Sequence, residues 1–176
     1  IAPTRELAMQ VSSELEWLYG ESGARITTCV GGMDARKEAR TLNHGVHIVV
    51  GTPGRLKDHI DRGNLDLSNL RVLVLDEADE MLDMGFREDL EYILEQSPED
   101  RRTLLFSATI ARDIVQMAKR YQRDAVRIDT VDRSVPHADI EYRALRILPN
   151  EIEKAVVNSL RYFDAPSALV FCNTRD

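Results

Sequence analysis

The chain has 176 residues, 43% hydrophobic and 30% charged, with a formal net charge of −7. That length suits one full domain, or one domain and part of a second. The acidic balance argues against a uniformly basic nucleic-acid surface, but a local phosphate track needs only backbone amides and a few arginines.

Short β-rich apolar runs alternate with longer segments of helical period. A helix is expected over Glu6–Tyr19, where Leu7, Val11, Leu15 and Leu18 recur at spacings of three and four. Next come a strand at Ile26–Val30, a helix at Ala35–Asn43, a strand at Ile48–Val50 and a helix at Arg55–Arg62. The alternation continues with a strand at Val72–Leu75, a helix at Arg87–Glu95, a strand at Leu104–Phe106, a helix at Ile114–Tyr121 and a strand at Val126–Ile128. Strands that are apolar throughout and alternate with helices imply an α/β fold, a doubly wound parallel sheet covered on both faces by right-handed crossovers.

After Ile128 the texture changes. "DTVDRSVPHAD" is polar, holds a proline and lacks a period, so it reads as a linker. "IEYRALRIL" then reads as a strand, Glu151–Tyr162 as a helix and "ALVFC" as a buried strand. The expected domains are a partial first domain over 1–130, a linker over 131–139 and the start of a second α/β domain over 140–176. The chain opens on Ile1 in mid-pattern and stops where a strand hands over to a helix, which reads as a piece of a longer protein.

No apolar run reaches the length of a membrane span, and no signal peptide opens the chain. Cys29 and Cys172, each in an apolar strand-like run, read as reduced, buried thiols of a cytoplasmic protein. The histidines (His44, His47, His59, His137) show no zinc-site spacing, so no zinc site is read from them.

In a doubly wound sheet, ligands bind at the carboxyl ends of the strands. Unusual residues gather at those ends here. "APTREL" offers Thr4 as a helix cap with Arg5 beside it, and "CVGGMDARKEA" ends a strand in Gly31-Gly32 with Asp34 as a cap. "VVGTPGRL" sets Thr52 and Pro53 at a helix start, with Gly54 and then Arg55 one turn in, the makings of a phosphate site. "LLFSATI" ends a strand in Ser107 and Thr109, two hydroxyls before another helix. Singly, each reads as a turn, a cap or a surface charge. Together they crowd one rim.

The same rim carries Asp76, Glu77 and Asp79 at the end of "VLVLDEADEML". Carboxylates this close repel one another, and a bound dication relieves the repulsion. Asp76 is placed to hold Mg²⁺ directly or through its water shell, and Glu77 to orient or deprotonate a water aimed at a γ-phosphate. Asp79, three residues on, is placed for a turn or new helix to aim it at Ser107 and Thr109.

"PTRELA", the "GG" pair, "TPGRL", "DEAD", "SAT" and "LVFCNTR" stand in the order and spacing of the DEAD-box RNA helicases, which the whole chain resembles. The resemblance implies the RecA-like, P-loop NTPase type of fold, from motif Ia through motif IV. It implies ATP and Mg²⁺ as cofactors, RNA as the partner, and local ATP-driven separation of RNA duplexes or remodelling of RNA–protein complexes. Asp76 and Glu77 would serve Mg²⁺-ATP and catalysis, while Asp79, Ser107 and Thr109 would couple nucleotide state to RNA. Pro3, Thr4, Arg5, Gly31, Gly32, Thr52, Pro53, Gly54 and Arg55 would line the RNA phosphate path, and Asn173, Thr174 and Arg175 would add motif IV.

The departures from the family pattern are absences. No G-x-x-x-x-G-K-[ST] phosphate loop occurs in these residues, nor does the arginine-finger motif, which in the family lie before Ile1 or after Asp176. The fragment alone is expected to be inactive. Two rivals stand beside this reading: an ATP-independent RNA-binding or scaffold protein on the same fold, and a DNA-directed helicase relative. Two-carboxylate glycosidase chemistry is a poorer fit, since it needs acids facing each other across a sugar.

Overall fold

The computed structural model describes residues 1–130 and 140–172. By internal contacts the chain divides into a unit over Ile1–Arg127 and a unit over Ile128–Asp176.

The first unit is an α/β layer structure. Its elements are α1 (Arg5–Tyr19), β1 (Ile26–Cys29), α2 (Ala35–Asn43), β2 (Ile48–Gly51), α3 (Pro53–Asp61), β3 (Val72–Leu75), α4 (Ala78–Asp83), α5 (Arg87–Gln96), β4 (Arg102–Leu105) and α6 (Arg112–Tyr121). β1 pairs in parallel with β2, from Ile26 opposite Ile48 to Cys29 opposite Gly51. β3 pairs in parallel with β4, from Val72 opposite Arg102 to Leu75 opposite Leu105. Both pairs therefore end, at their carboxyl edges, beside the residues singled out in the sequence.

The first two residues join the pairs. Ala2 N donates to Gly51 O at 3.0 Å, while Asp76 N donates to Ile1 O at 3.0 Å and the Ile1 amine donates to Val74 O at 2.7 Å. Two bonds straddling Leu75 are the slanted pattern of a parallel neighbour. Ile1 and Ala2 thus lie between β2 and β3.

α1 covers one face of the first pair. Leu7, Val11 and Leu15 pack with Ile26 and Ile48 on a buried cluster of Ala2, Ala8, Val30 and Val50. Leu18, expected on that stripe, is 61% exposed, one residue before the helix ends at Tyr19. A larger core of Leu56, Leu73, Leu75, Met81, Leu90, Leu94, Ile114 and their neighbours gathers α3 to α6 against the strands. Each buried leucine there contributes roughly 1.5–3 kcal/mol relative to exposure.

β3 departs from the expectation of burial on both faces. Leu73 and Leu75 are buried, but Val72 and Val74 are 48% and 36% exposed, and Phe106 beside them is 56% exposed.

Three further expected strands do not form. Val126 and Ile128 are 84% and 83% exposed and carry no ladder, and the runs 140–148 and 168–172 are likewise irregular and exposed. A lone apolar run cannot satisfy its backbone without a neighbouring strand, and none is present among the described residues. Cys172 is accordingly exposed rather than buried, whereas Cys29 is buried. In the second unit α7 (Ile152–Phe163) forms as its periodicity predicts, with Ile152, Val157 and Leu160 exposed.

Candidate functional site

The capped junctions can be read atom by atom. Thr4 has extended backbone angles, and its Oγ1 accepts from Leu7 N at 3.2 Å, a true N-cap for α1. Asp34 caps α2 by accepting from Arg36 N at 2.9 Å and Lys37 N at 3.2 Å, which holds its carboxyl below the usual carboxylate value. Thr52 occupies the cap position of α3, before Pro53, but its side chain makes no cap bond. Ser107 and Thr109 cap nothing, since α6 starts later, after Ala111.

Three of these loops meet. Gly32 has φ of +80°, a left-handed angle that suits glycine, and Arg5 Nη1 lies 3.3 Å from where a β-carbon on Gly32 would sit. Arg55 Nη1 and Nη2 each lie 3.3 Å from the Met33 carbonyl. The Pro3–Arg5, Gly31–Met33 and Thr52–Arg55 turns are therefore side by side. β2 and β1 close tightly here: a β-carbon on Gly51 would fall 2.5 Å from the Cys29 carbonyl oxygen.

Neither arginine is a bare cation. Arg5 bonds Glu6 Oε1 through Nε and Nη2 at 3.3 and 3.2 Å, with its side chain 48% exposed. Arg55 bonds Glu38 Oε2 at 2.8 Å and is 15% exposed. Charge counted as available from the sequence is thus already engaged.

The acidic junction lies just across Ile1 and Ala2. Asp76 follows β3, half-buried, and its Oδ1 accepts from Glu77 N at 3.1 Å. Glu77 is exposed and takes a left-handed backbone (φ 50°, ψ 53°), an uncommon state for a residue with a side chain. That bend starts α4, and Ala78 N donates to Phe106 O at 3.0 Å, tying the helix start to the end of β4. No described residue bonds the Glu77 carboxylate.

Asp79, in the first turn of α4, reaches the hydroxyl turn as expected. Its Oδ2 accepts from Thr109 N at 2.8 Å and from Thr109 Oγ1 at 2.9 Å. Ser107 Oγ donates to Thr109 O at 2.7 Å, so it braces the turn while Thr109 is the direct partner. Burial opposes the charge on Asp79, but hydrogen bonding from Thr109, with help from the nearby Ser107 hydroxyl, holds its carboxyl below the usual value. Asp79 Oδ1 is buried without a hydrogen-bond partner.

A cleft of about 210 Å³ is lined by Pro3, Thr4, Glu77, Asp79, Glu80, Met84 and Ala108, so Glu77, Asp79 and the Thr4 turn share one space, which Asp76 does not line. A larger hollow, about 420 Å³, lies by Glu16, Arg25 and His44 and includes none of the candidate site residues. Asn173, Thr174 and Arg175 fall outside the described residues.

The family model of the DEAD/DEAH box helicases matches residues 1–117. The chain belongs to that family. Its Asp76–Asp79 run is the family's namesake sequence, set where β3 ends. Among similar proteins, a probable ATP-dependent RNA helicase of Methanocaldococcus jannaschii is 42% identical over 175 residues, 99% of this chain and 46% of that protein. The ATP-dependent RNA helicase DeaD of Haemophilus influenzae is 41% identical, over 99% of this chain and 29% of its own length. The chain thus spans less than half of the relatives it matches. Among solved structures, a DEAD box protein of Methanococcus jannaschii superposes with a TM-score of 0.71 at 43% identity, covering 90% of this chain and 42% of that one. A hypothetical ATP-dependent RNA helicase of Sulfolobus tokodaii gives 0.65 at 37% identity, covering 69% and 37%. The RecA-like α/β fold of these helicases is the fold of this chain. None of its described helices is long and apolar enough to cross a membrane.

One feature of this DEAD/DEAH box chain escapes a motif reading. Glu38 of α2 is buried, and it accepts from Val30 N at 3.1 Å, from Arg55 and from His59 Nε2 at 2.7 Å. His59 is 1% exposed, and the ligand atoms of Cys29, Glu38 and His59 lie within 4.8 Å of one another. The available signal was positional: Glu38 falls four residues before the core residue Leu42, on the inward stripe of α2.

Proposed function

We propose that the protein is an ATP-dependent RNA helicase, which couples hydrolysis of ATP to local separation of RNA duplexes or remodelling of RNA–protein complexes in the cytoplasm. The observation that carries this is the division of labour among the three acids. Asp79 is committed to Thr109 through both donors of that residue, whereas the Glu77 carboxylate lines the neighbouring cleft with no bond from a described residue, and Asp76 at the end of β3 accepts only from the Glu77 amide.

The donor set fits a hydrated Mg²⁺, which prefers oxygen ligands and keeps most of its waters. Asp76 would hold it through that water shell, and the ion would neutralise charge on the phosphates of ATP. Glu77 orients a water and takes its proton at the carboxylate. The bridge from Asp79 to Ser107 and Thr109 links α4 to the β4 end, so a shift at the nucleotide reaches the hydroxyl turn. Pro3, Thr4, Arg5, Gly31, Gly32, Thr52, Pro53, Gly54 and Arg55 form the edge along which an RNA backbone is held. Contacts to sugar and phosphate carry no base information, which suits action on many sequences. The phosphate loop is not among these 176 residues, and Asn173, Thr174 and Arg175 are assigned to a second domain beginning near 140 after a linker over 131–139.

The test is phosphate release by the complete protein with and without RNA, followed by strand displacement on a short duplex. RNA-stimulated release with ATP-dependent displacement supports the reading. RNA binding without any turnover would replace it with the scaffold reading, and stimulation by DNA alone with the DNA-directed one.

A further inference from the structure

The buried cluster around Glu38 has the ligand types of a metal site, but its bonding is that of a closed latch. Glu38 Oε1 takes the Val30 amide at 3.1 Å, and Oε2 takes Arg55 Nη1 at 2.8 Å and His59 Nε2 at 2.7 Å. Asn64 Nδ2 lies 3.3 Å from His59 Nδ1, so the amide donates there and the proton on His59 belongs to Nε2, facing Glu38. Arg55 already neutralises the carboxylate. The Cys29 thiol, by burial first and the Glu38 carboxylate second, is pushed up to about 12, against the thiolate a metal requires.

The partners of this latch are distributed in a telling way. Val30 directly precedes the Gly31-Gly32 turn, and Met33, whose carbonyl faces both Arg55 Nη atoms at 3.3 Å, directly follows it. Arg55 belongs to the Thr52–Arg55 turn, and His59 lies one helical turn further along α3. A planar guanidinium spans two acceptors at fixed spacing, which an ammonium does not. Separating one partner of a buried ion pair leaves an uncompensated charge, so the arrangement resists opening.

We propose that Glu38 and Arg55 form a buried latch that fixes the Gly31–Met33 turn against the Thr52–Arg55 turn, and that Arg55 is a positioning residue for the RNA backbone and not a phosphate contact. This rests on the reading that these turns hold RNA. The turns, not the guanidinium, then present their amides to phosphate.

The experiment uses the complete protein with Glu38→Gln, Arg55→Lys and Arg55→Ala. Glutamine retains a carbonyl for the Val30 amide but loses the acceptor facing Arg55. Lysine keeps the charge and loses the fork. Amide hydrogen exchange is read over 30–33 and 52–55, and RNA affinity is read at several salt concentrations. Faster exchange over both turns in Glu38→Gln and Arg55→Lys is expected. Affinity should fall about tenfold in both, with Arg55→Lys as weak as Arg55→Ala and the salt slope unchanged. Near wild-type affinity in Arg55→Lys, with a slope reduced by roughly one in Arg55→Ala, would mean direct phosphate contact and overturn the proposal. Unchanged exchange in both turns would overturn it too. So would a Co²⁺ thiolate absorption band that Cys29→Ser removes, which would make the cluster a metal site. A wild-type protein that binds no RNA would remove the RNA reading and Arg55's role towards it, while the exchange data would still decide the latch.

Discussion

At the scale of single residues, Glu77 carries the sharpest expectation. Its backbone is held in a left-handed state and its carboxylate is exposed beside the cleft, unlike Asp79, which is bound to Thr109. Glu77→Gln in the complete protein should spare nucleotide binding and lower single-turnover hydrolysis by about 10²–10⁴. Hydrolysis at wild-type speed would remove Glu77 from the chemistry. The two cysteines make a second test. Cys29 is buried with its thiol pushed up to about 12, while Cys172 is exposed, so iodoacetamide near neutral pH should label Cys172 alone until the fold opens. The raised Cys29 value means that its contribution to stability is complete below the ordinary thiol value of 9.0 and is lost as pH rises towards about 12. Mass spectrometry of labelled peptides checks the first statement, and a melting series at alkaline pH the second. Thr4 and Asp34 were legible as caps because a cap depends on local spacing, and the Asp79–Thr109 contact, 30 residues apart, was legible only because both residues follow strands that end on one edge. The engagement of Arg5 by Glu6 and of Arg55 by Glu38 was not equally so. The first pair is adjacent in sequence but depends on side-chain rotamers, and the second joins residues 17 apart across two helices.

At the scale of elements, the hydroxyl turn is a brace between α4 and β4, not a helix cap. It meets Asp79 through Thr109, and Ser107 stiffens it from within. Replacing Ser107 and Thr109 together by alanine in the complete protein should impair unwinding far more than RNA-stimulated ATP hydrolysis. Equal loss of both would assign the turn to the chemistry. The strands at 26–29, 48–51, 72–75 and 102–105 lie within a residue or two of their sequence reading, because each finds a parallel partner that satisfies its backbone. The runs at 126–128, 140–148 and 168–172 have comparable apolar content and no such partner. Strand propensity is a statement about fit to a sheet, and it fails where the sheet is missing. Helix α7 forms nonetheless, since a helix satisfies its own backbone.

At the scale of the molecule, the chain holds the acids of the site and the turns of the proposed RNA edge but no phosphate loop. Phosphoryl transfer depends on positioning and charge neutralisation, so residues 1–176 alone should release no phosphate above a Glu77→Gln control. Release that the control lacks would place the nucleotide elsewhere. The exposed face of Val72, Val74 and Phe106, together with the bare strand-like runs of the second unit, also predicts that this chain self-associates on concentration. Light scattering reads that directly.

The bridging of the strand pairs by Ile1 and Ala2 has a kinetic meaning. The β1–β2 pair brings together residues 22 apart and the β3–β4 pair residues 30 apart, but the bond from Ile1 to Val74 closes a separation of 73. Loop-closure entropy must be overcome before distant contacts help, so the two ribbons should assemble early and the seam between them last. The Thr4 turn directly follows Ile1 and Ala2, which make the seam, and the amide of Asp76 supplies one of the seam's hydrogen bonds. The acids and the neighbouring turns therefore acquire their mutual geometry only in the final closure. Until then these residues are all present in the chain, but the edge they form is not. Pulse-labelling exchange during refolding should find the Ala2 and Asp76 amides protected after those inside either ribbon.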